Sequence, residues 1–171
     1  MSVVSDIVLY LIFLILIGCL IYAWRKELSN KRVTSIPFKE AMDLICLPIV
    51  TFEHRGVKLH LMLDTGSDDS YINSKIADIL QPVKADDATI PVITGTGETD
   101  AKGRVLLDLT YNNNVFYNYF FLMDLDNAFK AITDERGLEI HGIIGNKFFK
   151  KYEYKLDFES MIAHSKKGIK K

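Results

Sequence analysis

From Ile7 to Trp24 the chain runs for 18 residues without a charged side chain. At about 1.5 Å rise per residue, a helix of that length reaches roughly 27 Å, close to the hydrocarbon thickness of a bilayer. Tyr22 and Trp24 stand at its end, where aromatic rings suit a membrane interface. A cleaved signal peptide would need a basic start and a small-residue cleavage site, and residues 1–10 hold neither Lys nor Arg. A buried helix of a globular domain would show a polar stripe, which this run lacks. Residues 1–24 are therefore expected to form an N-terminal transmembrane helix, with residues 7–24 in contact with the lipid bilayer. Arg25, Lys26, Lys31 and Arg32 follow directly, with no basic residue on the other side. The positive-inside rule then makes this a single-pass membrane protein whose remaining residues lie on the cytoplasmic side.

What remains of the 171 residues suits one compact domain. Residues 25–43 read as a charged linker interrupted by Pro37, residues 44–158 as the domain, and residues 159–171 as a disordered basic tail. Strand signals dominate the domain. Leu47 to Phe52 is apolar and β-branched, Glu53 to Gly56 supplies a turn, and Val57, Leu59, Leu61 and Leu63 alternate along one face. Tyr71-Ile72, residues 89–94, residues 104–111, residues 115–122 and residues 154–158 read as further strands. Residues 74–80 read as a short helix capped by Ser74. Ala128, Phe129, Ile132 and Glu135 recur at helical spacing, so residues 124–139 hold an extra helix. The fold class expected is mostly β. Two cysteines, Cys19 and Cys46, make no disulfide framework. The four histidines have no metal-ligand spacing, and a net charge of −1 gives no reason to expect a nucleic-acid partner. Neither a metal nor a cofactor is expected.

The chemistry concentrates in Leu61-Met62-Leu63-Asp64-Thr65-Gly66-Ser67-Asp68-Asp69-Ser70. An apolar strand ends in a carboxylate, followed by a small hydroxyl residue and a glycine that permits a tight turn. That places Asp64 at the tip of a turn on a rigid scaffold. One carboxylate cannot both activate water and protonate a carbonyl. Two facing carboxylates can, because like charges at close range share one proton. The chain has one Asp-Thr-Gly, so the second carboxylate has to come from a second copy: a homodimer.

Read in order, these pieces resemble the retroviral aspartic proteases, or retropepsins, over nearly the whole soluble domain. The hairpin from Leu47 to Leu63 leads into Asp64-Thr65-Gly66-Ser67-Asp68-Asp69. Ile93-Thr94-Gly95-Thr96-Gly97-Glu98 is similar to the tip of the flap that closes over substrate. His141-Gly142-Ile143-Ile144-Gly145-Asn146 is similar to the family's apolar-apolar-Gly element and the short helix after it. The resemblance implies a single-lobe retropepsin-like closed β-barrel, the acid-protease fold, with one or two short helices. It implies an aspartic endopeptidase acting on peptide or protein substrates as a homodimer. Asp64 would be the catalytic carboxylate. Thr65 would bond across the dimer, and Gly66 would let the backbone lie close to Asp64. Asp68 and Asp69 would lie near the substrate backbone. Gly95, Thr96 and Gly97 would form the flap tip. Ile143, Ile144 and Gly145 would support the turn from behind.

Two departures stand out. Ser67 takes a place where the viral enzymes usually carry Ala. Its hydroxyl, if given to the Asp64 carboxylate, would lower that group's pKa and move activity to more acidic pH. Residues 124–139 are longer and more polar than the family pattern. The alternative to an active protease is a catalytically inactive member of the same fold that binds peptides or scaffolds a membrane partner.

Overall fold

The computed structural model describes residues 13, 15–20, 36–94 and 97–170, without the side chains of residues 87–94, 97–100 and 102. It divides into two units, Met1–Val33 and Thr34–Lys171. In the first unit Phe13 and residues 15–20 are helical. Most of the apolar run 7–24 lies outside the described residues. Among the described residues, no helix is long and apolar enough to cross a membrane.

The second unit contains its own core, since every buried apolar residue described belongs to it. Strands β1 (Ile49–His54) and β2 (Val57–Leu63) form a hairpin with Ile49 opposite Met62 and His54 opposite Val57. The two turn residues, Arg55 and Gly56, both have positive φ, 47° and 85°. That is the backbone twist a two-residue hairpin turn requires. Leu59, Leu61 and Leu63 are buried, as their alternation predicts. Strand β3 (Tyr71–Asn73) is followed by a single 3-10 turn, Ser74–Ile76, in place of the longer helix expected. Its cap is the Asn73 side chain, which accepts from the Lys75 N–H, and not Ser74.

Strands β4 (Lys84–Thr94) and β5 (Gly97–Tyr111) form the long hairpin expected of a flap, and β6 (Asn114–Met123) returns beside β5. Helix α2 (Asp126–Arg136) confirms the helical spacing of that segment. It buries Phe129 and ends at Gly137, whose φ is +65°. Strand β7 (Gly142–Ile144) pairs parallel with β2 and antiparallel with β3. Since β3 also pairs with β6, and β1 with β5, the ring β1-β2-β7-β3-β6-β5 closes on itself. Inside it Phe52, Phe116, Phe148 and Tyr154 pack together, with Phe52 and Phe148 6.1 Å apart and edge-on.

The domain is wider than residues 44–158 at both ends. Helix α1 (Phe38–Ile45) occupies part of the expected linker and buries Phe38 and Ala41. Pro37 starts this helix and does not interrupt one, because the missing N–H costs nothing ahead of the first turn. Helix α3 (Asn146–Tyr152) leads to the hairpin β8 (Lys155–Asp157) and β9 (Ile162–His164), in which Ala163 is buried. Strand β10 (Ile169–Lys170) pairs with β6. The expected disordered tail is therefore ordered up to Lys170, β9 pairing with β8 in a two-stranded sheet and β10 joining the main sheet.

Candidate active site

Asp64 follows directly on β2, at the point where β2 and β7 run side by side. Its N–H donates to the Ile144 carbonyl at 2.9 Å, extending the parallel ladder by one rung. The chain then turns. The Gly66 N–H donates to the Asp64 carboxylate (Oδ1) at 2.8 Å. A Cβ at Gly66 would stand 3.2 Å from that same oxygen, so glycine leaves room for the side chain to fold back over the turn. Asp64 is half-buried, while Thr65 and Gly66 are exposed beside it.

The turn is clamped from the β7–α3 junction. The first N–H groups of α3 have no partners within the helix. Asn146 N–H donates to the Ser67 carbonyl at 2.7 Å, and Lys147 N–H to the Asp68 carbonyl at 3.1 Å. The Asn146 side-chain amide donates to the Thr65 carbonyl at 2.6 Å. Gly145 N–H donates to the Ser70 hydroxyl at 3.1 Å. Gly145 lies so close to the turn that a Cβ there would meet the Asp69 carbonyl oxygen at 2.2 Å. Every peptide carbonyl from Thr65 to Asp68 except that of Gly66 thus meets a donor from one junction. Ile144 is fully buried in the main core behind the turn, and Ile143 packs on a second apolar cluster.

Of the residues expected at the site, Asp64, Thr65, Gly66, Ser67, Asp68, Asp69, Ile143, Ile144 and Gly145 come together around one turn. Gly97 opens β5 opposite Thr94, where the flap expectation puts it. Gly95 and Thr96 lie outside the described residues. One role differs from expectation. The Ser67 hydroxyl donates to the Asp69 carbonyl at 2.9 Å and not to Asp64, as a Ser side chain often bonds backbone nearby in a turn. The Asp69 carboxylate receives Lys147 Nζ at 2.6 and 2.8 Å, while Asp68 is exposed. Burial, and then the Asp69 and Asp68 carboxylates, push the neighbouring Tyr71 phenol above its usual pKa. Sequence reasoning missed Asn146, Lys147 and Ser70. The first two follow directly on the Ile-Ile-Gly element, and that adjacency was the available signal.

No family model matches the chain, and no curated protein does. Among solved structures it is similar to the retroviral protease-like domain of Ddi1 from Leishmania major. The TM-score is 0.53 at 15% identity, over 70% of this chain and 88% of that one. The fold is retropepsin-like. The EIAV protease complexed with the inhibitor HBY-793 also matches, with a TM-score of 0.48 at 13% identity over 64% of this chain and 90% of that one. In this retropepsin-like barrel the Asp-Thr-Gly turn sits where the parallel β2–β7 pair ends, with the β4–β5 hairpin as the flap candidate.

Proposed function

We propose that this chain is a membrane-anchored aspartic endopeptidase. It hydrolyses peptide bonds with a dyad of two Asp64 residues, one from each subunit of a homodimer, in a domain on the cytoplasmic side. The observation that carries the reading is the clamped Asp64 turn. A half-buried carboxylate stands at the end of a core strand, and its loop is fixed by four donors from the β7–α3 junction. Fixing a reactive group before substrate arrives is what positioned acid–base catalysis needs. In a pair, one Asp64 takes a proton from water and the other, protonated, donates to the scissile carbonyl. The two titrate as a unit, since like charges that close do not both ionise. Thr65, exposed beside Asp64, is then free to bond the partner turn, and Asp68 faces the substrate backbone. The uncharged run 7–24 supports the anchor.

The test is cleavage of a peptide library by the domain from Thr34 to Lys171, beside Asp64→Asn. The expected outcome is hydrolysis that the variant abolishes with its fold intact, together with binding of a pepstatin-type inhibitor. Specific activity should also fall on dilution, because the site needs two chains, and membrane tethering would offset this by raising local concentration. Turnover unchanged in Asp64→Asn would refute the mechanism. Specific activity constant down to nanomolar protein would refute the dimer.

A further inference from the structure

Three large apolar side chains near the C-terminus face solvent: Phe158, Ile162 and Ile169 are 52%, 47% and 60% exposed. In the β8–β9 hairpin Leu156 and Ala163 turn to the core, which leaves Ile162 on the outer face beside Asp157. The same stretch of chain is basic. From residue 153 onward five lysines stand against three carboxylates, Glu153, Asp157 and Glu159, in a chain whose net charge is −1. Lys155, Lys166, Lys167 and Lys170 are all exposed. Glu153 pairs with Lys167, while the Asp157 carboxylate accepts from the N–H groups of Glu159 and Ser160; the lysines still outnumber the acids here.

These residues share one end of the barrel with the point where the chain enters the domain. Ile36 and Pro37 line a shallow cavity with Tyr111, Asn112 and Asn113 of the β5–β6 turn. Lys170 lies opposite Asn114, the next residue along that turn. The Phe158 ring packs 6.0 Å from Phe38, in the first turn of α1. Lys58 of β2 lines the same cavity. Asp64 lies six residues further along, about 20 Å away at 3.3 Å per residue. Residues 25–35 join Trp24 to Ile36, and a chain of that length spans at most about 38 Å.

We infer that this end of the domain docks on an anionic lipid surface. Lys166, Lys167 and Lys170 meet headgroups, and Phe158 and Ile162 enter the interface. Docking holds the domain with its Asp64 end directed away from the bilayer, towards incoming polypeptide. The inference rests on the membrane-anchored reading for the identity of that surface. Charge complementarity selects the occupant. A second copy would bring lysines against lysines, and a nucleic acid would match the lysines but leave three apolar side chains in water. Lysines near an anionic bilayer contribute about fivefold each to binding, and exposed apolar side chains add area that only an interface buries.

The test uses the domain from Thr34 to Lys171 and vesicles of phosphatidylcholine with or without phosphatidylserine, read by co-sedimentation. Binding is expected on the phosphatidylserine vesicles only, weakening as salt rises. Replacing Lys166, Lys167 and Lys170 together by Gln should cut partitioning on the order of 100-fold, at about fivefold per lysine. The pair Phe158→Ser and Ile162→Ser should also weaken it, while Lys75→Gln with Lys130→Gln leaves it unchanged. Absent binding, equal binding to both vesicles, or equal binding by the triple-lysine variant would overturn the inference. So would loss of dimerisation in that variant without lipid, which would make this face an interface between copies. The anchor fails separately: release of the full chain from membranes by alkaline carbonate would sink it and leave vesicle binding standing.

Discussion

Acid should destabilise this domain well before its carboxylates begin to titrate, because of one pair of histidines. His60 of β2 and His141, just before β7, stack with ring centroids 5.4 Å apart and are 4% and 6% exposed. His141 Nδ1 accepts the His60 N–H at 3.0 Å, so that ring is neutral with its proton on Nε2. His60 Nδ1 meets the Thr51 hydroxyl at 3.0 Å. Burial holds both rings at a pKa of about 4, with the facing His141 and then Lys58 adding to the shift at His60. In the unfolded chain each ring takes up a proton near pH 6.5. As pH falls below that, the unfolded state binds protons the folded state refuses, so stability falls with pH until about 4. At pH 5 the loss is about 2 kcal/mol for each ring and about 4 kcal/mol for the pair. That is a large part of the ~5–15 kcal/mol a domain has. With an m-value near 2 kcal/mol/M, the urea midpoint should drop by roughly 2 M between pH 7 and pH 5. In His141→Asn, whose side-chain oxygen still accepts the His60 N–H, the slope with pH should halve whatever the variant's stability at pH 7. A wild-type midpoint that stays level between pH 7 and 5 would refute the reasoning. So would a histidine pair titrating near pH 6.5 by NMR. The lowered carboxylates Asp126 and Asp157 act only below the usual carboxylate pKa of 3.8, outside this window.

Gly145→Ala should cost about 3 kcal/mol in denaturant unfolding, since its Cβ would meet backbone that cannot move without opening the Asp64 turn. A stability within error of wild type would show that the turn is looser than described. Asn146→Ala should cost about 1 kcal/mol of stability but lower kcat of peptide hydrolysis roughly tenfold, because the Thr65 carbonyl loses its tether. Asn146→Asp, which cannot donate, should fail to rescue it, and a wild-type kcat in either variant would remove Asn146 from the positioning of Asp64. Ser67→Ala should leave the pH optimum where it is, since its hydroxyl serves the Asp69 carbonyl; an optimum that moves towards neutral would restore the tuning role read from the sequence.

The Asp64 turn and the β1–β2 hairpin were legible because each is specified locally; the β7 element was legible only through its resemblance to the retropepsin pattern. Alternation fixes the inward face of β2, and the Asp-Thr-Gly and Ile-Ile-Gly segments fix the two halves of the site. Elements that depend on distant partners were not legible. Helix α1 is held by the burial of Phe38 and Ala41 against remote strands, so its charged surroundings read as linker. The C-terminal strands are short, and they exist because β6 and β8 offer them edges; their lysines read as a tail. The Asn146 clamp joins residues 81 apart in sequence, and nothing near Asn146 announces an acceptor. The direction of the Ser67 hydroxyl was a choice between two nearby oxygens, which turn geometry decides and composition does not.

Ser67 and the histidine pair bear on the same question, the pH at which the proposed enzyme would work. An acid-shifted optimum had one cause in the sequence, a hydroxyl donated to Asp64. That hydroxyl is directed to Asp69, and the described donor to the Asp64 carboxylate is the Gly66 N–H. The Ser67 hydroxyl therefore does not tune Asp64. Meanwhile the β2–β7 pair that carries Asp64 is flanked by His60 and His141, and protonating either forces a charge between the two strands the active turn depends on. Stability therefore declines over the range where an acid protease would be most active. A domain built this way is suited to near-neutral surroundings, such as the cytoplasmic side proposed for it.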